Sequence, residues 1–115
     1  MLKLTGVMPA LLTPFDSQGE VNLTTIRDLV EFHLAAGLTG FYILGSTGEG
    51  LLLSEGERRL VAETVVNQVK GRVPVVVHVG ALSTREACDL ARHAQEAGAD
   101  GTSSIPPFYL SLIHI

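Results

Sequence analysis

The sequence has 115 residues, of which 46% are apolar, and a formal net charge of -4. This composition is typical of one soluble globular unit, and eight basic against twelve acidic residues without a basic run argue against a nucleic-acid partner. No apolar run approaches the roughly 18 to 20 residues of a membrane span, and the N-terminus lacks a long apolar signal segment, so no membrane association and a cytoplasmic location are expected.

The first predicted unit is a strand followed by a helix. Residues 6–12, GVMPALL, are expected to form a strand that is buried on both faces, because their apolar run hardly alternates. After a turn at residues 16–19, residues 23–36 carry apolar side chains at the three-and-four spacing of a helix with one buried face. Gly37 is the predicted stop of this helix.

The second unit repeats this order. Residues 40–44, GFYIL, form the second predicted strand. Ser54, with Glu57 three positions later, predicts a capping box, in which each side chain satisfies a free backbone amide at the start of a helix. Gly71 is the predicted end of that helix.

The third unit has the same plan and leads into a fourth strand. The β-branched run 73–79 predicts a strand, Ser83 and Glu86 predict another capping box, and Gly98 is expected to end the helix before a strand at residues 101–105. The one cysteine of the chain, Cys88, cannot form an internal disulfide. Because it lies in the apolar-periodic segment 87–94, we expect a packed thiol.

Alternating strands and amphipathic helices predict an α/β fold with a parallel sheet. The pattern Ala-Gly-x-x-Gly recurs at residues 36–40 and 97–101, which supports a repeated βα unit. Two architectures remain open, a closed βα barrel and an open doubly wound sheet. The chain is one domain or part of one, since a complete eightfold barrel needs roughly 250 residues.

The loop GSTGEG at residues 45–50 follows the second strand, at the edge of a parallel sheet where ligands bind in both architectures. Glycines allow close backbone approach, and Ser46 and Thr47 can donate hydrogen bonds to a carboxylate or phosphate. The lysine of a P-loop and the three-glycine spacing of a dinucleotide fingerprint are both missing. Anion binding and a flexible turn remain the alternatives. Glu49 can be catalytic or can brace the turn.

Other strand ends also carry polar side chains. Pro14 holds Thr13 extended, so Thr13 is expected to form a pocket wall together with Gly45 and Gly48. His78 can act as an acid or base, although a strand-end histidine bonded to backbone is the commoner case. His33 and His93 lie in predicted helices without a partner at metal-ligand spacing, so no metal site is expected. Two prolines stiffen PPFY at residues 106–109 and aim Tyr109, which can relay a proton or pack as an aromatic lid.

Together, GVMPALLTPFD at residues 6–16, GSTGEG and PPFY resemble the N-terminal part of the pyruvate-dependent Schiff-base aldolases, the family of N-acetylneuraminate lyase and dihydrodipicolinate synthase. The resemblance covers residues 6–109 and implies a (β/α)8 TIM barrel, of which residues 1–109 supply three βα units and the fourth strand. It also implies a homotetramer that needs no cofactor and forms a lysine imine with pyruvate or another 2-keto acid.

The resemblance assigns roles to individual residues. Ser46 and Thr47 match the residues that hold the carboxylate of the keto acid. Tyr109 matches a catalytic tyrosine that is presented to the active site of a neighbouring subunit and relays a proton. GST rather than GTT in the loop, together with HVG after the third strand, favours the lyase branch, and the synthase branch is the alternative.

The chain also departs from the family. The imine-forming lysine belongs to a later strand, and the two lysines of this chain, Lys3 and Lys70, match no such position. Residues 110–115, LSLIHI, differ from the family and are predicted to be a non-family tail of a truncated, inactive product. A non-catalytic anion-binding module and a chain that is not stably folded alone are the competing hypotheses.

Overall fold

The computed structural model describes residues 2–110 and 113 of the chain. Most of the predicted tail at residues 110–115 lies outside them, so its foreign origin stays a prediction. Helices and short strands alternate, and a short 3₁₀ helix at Gly50–Leu52 follows the first strand. The main elements are α1 (Leu23–Ala35), β1 (Phe41–Ile43), α2 (Glu55–Val69), β2 (Val75–His78), α3 (Thr84–Ala97) and β3 (Gly101–Ser103).

The three strands form one parallel sheet in the order β1-β2-β3. Tyr42 pairs with Val76, and Val76 pairs with Gly101. Strands that join in chain order through right-handed crossovers keep their helices on one face of the sheet, and α2 packs between α1 and α3. A doubly wound sheet would instead reverse its strand order and cover both faces. The topology therefore favours the βα barrel over the open sheet.

The hydrophobic core lies between the sheet and the three helices. Phe41, Ile43, Val75 and Val77 belong to it, because alternate side chains of a strand face the same side. The helices contribute Ile26, Val30, Val61, Val65, Leu90 and Ala94. The described residues span 45 × 42 × 22 Å, so the molecule is a slab of one sheet layer and one helix layer.

The predicted first strand is present only as an extended edge segment. Ala10 forms an isolated parallel bridge with Tyr42, and the Leu11 amide donates to the Tyr42 carbonyl at 2.9 Å. Leu11 is buried, but Val7 is 64% and Leu12 is 60% exposed. The prediction of burial on both faces is therefore wrong. Among the described residues this segment pairs with β1 alone, and the helices cover one face.

The ends of the helices follow local sequence signals with two differences. The capping box of Ser54 and Glu57 is formed in both directions. At α3, Ser83 accepts from the Glu86 amide, but the return bond from the Ser83 amide is not formed among the described residues. α2 runs to Val69, and its C-cap Lys70, one residue before the predicted stop at Gly71, has a left-handed φ of 52°.

Cys88 is exposed on α3, so the prediction of a packed thiol is wrong. The helical period places Leu90 and Ala94 in the core, and Cys88 lies on the flank of this buried stripe. In the part of the chain that the structure describes, no helix combines the length and the apolar character that crossing a membrane requires.

Candidate functional site

The GSTGEG loop begins at a strained residue. Leu44, directly after β1, has a left-handed φ of 63° although its side chain is buried. A non-glycine residue in this region costs about 1 kcal/mol or more and persists where the surrounding structure holds it. Such strain is often found at functional sites, so this loop is a candidate ligand-binding site.

The glycines of the loop allow its backbone to approach itself. A Cβ at Gly50 would lie 2.0 Å from the Leu44 carbonyl oxygen, and one at Gly48 would lie 3.0 Å from the Leu11 carbonyl oxygen. The Gly50 amide also donates to the Gly45 carbonyl at 3.1 Å. The loop is therefore wrapped closely around the peptide of Leu44.

Ser46 and Thr47 lie at the exposed tip of this loop. The Ser46 carbonyl accepts from the Glu49 amide at 3.0 Å, which closes a tight turn. Neither hydroxyl group forms a hydrogen bond with another described residue, so both are available to a ligand. Two free hydroxyl groups beside a tight backbone turn suit a carboxylate or a phosphate.

Glu49 does not brace the turn as the sequence allowed. It has a left-handed φ of 54°, its side chain is exposed, and it makes no capping hydrogen bond at the 3₁₀ helix that it precedes. The geometry does not support a catalytic role for Glu49 either, because its side chain has no hydrogen-bond partner among the described residues.

Thr13 supports the loop from the neighbouring edge segment. Its side chain is buried, and its hydroxyl group donates to the Gly48 carbonyl at 2.6 Å. Thr13 thus lies next to the loop as predicted, and its hydroxyl group binds the loop backbone. The roles of Thr13, Gly45 and Gly48 as pocket wall stay predictions.

His78, at the end of β2, is bonded to backbone. Its ring is buried, and Nδ1 lies 3.1 Å from the Leu44 carbonyl oxygen, so Nδ1 carries the hydrogen and donates. Burial lowers the pKa of His78, the positive charge of Arg58 lowers it further, and the bond to Leu44 opposes these effects. The ring is therefore neutral at pH 7 and ties β2 to the start of the loop.

Arg58 was not identified from the sequence as part of this region. It is 3% exposed, and its guanidinium group donates to the carbonyls of His78 and Gly80, each at 2.9 Å. A signal was present, because Val61, Ala62 and Val65 follow it at the spacing of one buried helix face. A basic residue just after a capping box nevertheless looks like an ordinary surface charge.

The side chain of Tyr109 is exposed to solvent. Its exposed fraction is 99%, and the φ of Tyr109, 72°, is left-handed. Nearby, an open cavity of about 280 Å³ lies between α3 and the segment after β3. The described residues contain no group of three or more His, Cys, Asp or Glu side chains that could hold a metal ion.

Comparison with known proteins agrees with this architecture. The model of the dihydrodipicolinate synthetase family matches residues 3–113. The chain belongs to this family.

Relatives within the family include named lyases. The chain is 47% identical over 106 residues to an N-acetylneuraminate lyase of Citrobacter koseri, a match that covers 92% of this chain and 36% of that protein. It is 41% identical to the solved N-acetylneuraminate lyase of Proteus mirabilis, with a TM-score of 0.91 over 96% of this chain and 37% of that one.

Another solved member of the family is YagE, a prophage protein of Escherichia coli in complex with pyruvate. The chain is 36% identical to it, with a TM-score of 0.91 over 94% of this chain and 36% of that chain. The chain thus spans little more than a third of the length of these relatives. Its parallel strands and one-sided helices are the N-terminal part of the TIM barrel of the family.

Proposed function

We propose that the GSTGEG loop forms the carboxylate-binding part of a pyruvate-dependent aldolase. This aldolase works through a lysine imine, and an N-acetylneuraminate lyase-like activity is favoured. The observation that carries the proposal is the pair of free hydroxyl groups of Ser46 and Thr47 on a strained, tightly wrapped loop. Such a loop at the carboxyl end of a parallel strand is where TIM-barrel enzymes hold their ligands.

The proposed binding step is recognition of the keto-acid carboxylate. The hydroxyl groups and amides of Ser46 and Thr47 donate to the carboxylate, which orients the keto carbon for attack. A lysine amine adds to that carbon and releases water to form the imine, which then accepts the electron pair of the breaking carbon-carbon bond. Tyr109, fully exposed here, is proposed to relay a proton in a neighbouring subunit of a homotetramer.

Neither lysine of the 115-residue chain is placed to form the proposed imine. Lys70 is the C-cap of α2, and Lys3 precedes the edge segment, so neither lies at the carboxyl end of a strand. We therefore expect the 115-residue chain to lack turnover by itself.

Borohydride trapping tests the covalent step. With pyruvate and borohydride, a longer protein that contains this chain and the remaining barrel strands is expected to gain a three-carbon adduct on one lysine. The 115-residue chain is expected to gain none. The absence of an adduct on the longer protein would contradict the imine mechanism, and an adduct on Lys3 or Lys70 would contradict the assignment of the lysine elsewhere.

Calorimetric titration with pyruvate tests the binding step. A variant with both Ser46→Ala and Thr47→Ala is expected to bind pyruvate at least about tenfold more weakly, because hydrogen bonds to a charged group contribute about 1.5 kcal/mol or more each. The matched control removes two exposed hydroxyl groups outside the loop, by Ser17→Ala and Thr24→Ala, and should bind normally. Equal affinities of the two double variants would contradict carboxylate binding by the loop.

Two alternative functions have their own supporting observations. A dihydrodipicolinate synthase activity is supported by the family match, and release of pyruvate from N-acetylneuraminate by the longer protein would favour the lyase instead. A non-catalytic anion-binding module is supported by free hydroxyl groups without a strand-end lysine. Phosphate that competes with pyruvate at equal affinity would favour that module.

A further inference from the structure

Arg58 is a buried cation without an ionic partner among the described residues. Its neighbour Arg59 forms a surface salt bridge with Glu55 at 2.6 Å, whereas the Arg58 side chain is buried. Burial lowers the pKa of Arg58, and the negative charges of Glu86 and Glu55 oppose that shift. Arginines are rarely buried unless they are paired, so the position of Arg58 calls for another explanation.

The side-chain hydrogen bonds of Arg58 among the described residues go to the end of β2 and the residues just after it. Nη1 donates to the Gly80 carbonyl and Nη2 to the His78 carbonyl, while Nε has no partner among the described residues. The planar fork thus spans two carbonyls that are two residues apart. The intervening Val79 amide donates to the Ser103 carbonyl at 2.8 Å. Arg58 therefore fixes the backbone where β2 stops pairing as a regular strand.

The end of β2 is connected to the GSTGEG loop through one side chain. The His78 ring donates to the Leu44 carbonyl, and it packs so closely on Gly80 that a Cβ there would lie 2.8 Å from ring atoms. The Leu44 carbonyl is also the atom around which the loop closes, 2.0 Å from where a Cβ of Gly50 would stand. A shift of the His78 backbone would move the ring from this carbonyl.

We propose that Arg58 is a positioning residue for the GSTGEG loop. By holding the backbone of His78 and Gly80, it keeps the His78 ring on the Leu44 carbonyl and so maintains the strained Leu44 conformation that orients Ser46. The effect on pyruvate rests on the proposed function, whereas the effect on the loop does not require any ligand.

Nitrogen-15 NMR of the 115-residue chain tests the connection directly. In Arg58→Met, the amide resonances of Gly45, Ser46 and Gly50 are expected to shift or broaden, and the His78 ring is expected to lose its fixed Nδ1–H tautomer. The matched control is Arg59→Met, one residue later on the same helix, which should leave these signals unchanged.

Arg58→Lys and His78→Phe keep the test decisive if Arg58→Met does not fold. A lysine places one ammonium where the fork spans two carbonyls, so a smaller change at the same amides is expected. His78→Phe removes the ring hydrogen bond but keeps the backbone carbonyl that Arg58 binds, and it should reproduce the loop changes. Combined with Arg58→Lys it should add little, because both act through the same connection.

Pyruvate titration separates the two proposals. Arg58→Met, or Arg58→Lys in its place, is expected to weaken binding by up to about tenfold, whereas Arg59→Met should not change it. Unchanged loop and His78 signals in a folded Arg58 variant would overturn the positioning role, whatever its affinity. If the wild-type chain binds no pyruvate, the carboxylate proposal fails, and the NMR comparison still decides the role of Arg58.

Discussion

At the scale of single residues, the glycines of the loop are required by contacts inside the protein. Gly50→Ala is expected to destabilise the fold by about 1 to 3 kcal/mol, because the new Cβ would overlap the Leu44 carbonyl oxygen and force the backbone to move. Urea unfolding monitored by circular dichroism measures the change in the free energy of unfolding.

Gly56→Ala is the matched control for this change. A Cβ at Gly56 would meet its nearest neighbour, Ser54 Oγ, at 4.0 Å, and Gly56 lies in the first turn of α2. An alanine in a helix is favoured over glycine by up to about 1 kcal/mol, so this variant should be unchanged or more stable. Equal destabilisation by both substitutions would show that the loop contacts are not the cause.

The buried ring of His78 predicts an acid-dependent loss of stability. Its pKa in the folded state is lowered below the ordinary 6.5, so between these two values the unfolded chain binds more protons. The stabilisation is fully present above pH 6.5 and falls as the pH drops through the unfolded value. The free energy of unfolding of wild type should therefore decline more steeply below that pH than that of His78→Phe. Parallel pH profiles of the two proteins would contradict this.

At this scale the sequence predicts local positions better than contacts between distant residues. The glycines and the preceding apolar strand locate the loop of Ser46 and Thr47, which the structure places at an exposed tip, and the role of both residues in binding stays a prediction. Arg58 was missed because its partners are 20 and 22 residues away, and a guanidinium group reaches them only through the fold. The prediction for Cys88 was wrong because the helical spacing of apolar residues does not separate the buried face of α3 from the residues beside it.

At the scale of elements, the helix starts of α2 and α3 offer a direct comparison. At α2 the Ser54 amide donates a return bond to the Glu57 carboxylate at 2.7 Å, whereas no such bond forms between Ser83 and Glu86 among the described residues. Glu57→Ala removes this return bond and is expected to cost about 1 kcal/mol. Glu86→Ala is the control, because it removes no return bond and should cost less. Thermal unfolding of both variants gives the difference, and equal losses would show that the Glu57 return bond adds nothing.

The elements themselves were predicted well where a signal lies within a few residues. Ser54, Ser83 and Gly98 mark helix ends in the sequence and in the structure. The burial of the edge segment containing Val7 and Leu12 was predicted wrongly, because an apolar run does not show how many strands and helices will pack against it. Burial of a strand is a property of the sheet, and only the assembled fold decides it.

At the scale of the whole molecule, the thin slab leaves both sheet edges and one sheet face without a protein layer in the described part of the chain. Unpaired strand edges with apolar side chains promote association. We expect the 115-residue chain to self-associate in sedimentation experiments, and Val7→Lys to reduce this association by placing a charge on the edge. Leu60→Lys, on the exposed side of α2, is the control. Equal behaviour of both variants would point to a different surface.

The family architecture was predictable from the order of the elements and three short motifs, and the strand order then separated the barrel from the doubly wound sheet. The lyase-like activity predicted from the same motifs stays a proposal for this chain, because the chain covers little more than a third of its relatives. The catalytic lysine that we propose for another strand would leave no trace in the packing of β1 to β3.

The exposed position of Cys88 gives the molecule a built-in chemical handle. Since the chain has one cysteine, a maleimide dye or a nitroxide spin label will attach at one known place on α3 without any engineered residue. That place borders the cavity lined by Val79, Ser104 and Pro107. In the 115-residue chain the thiol should react as fast as a free cysteine. In a longer protein whose next elements pack over this cavity, slower labelling would time the closing of the barrel during folding.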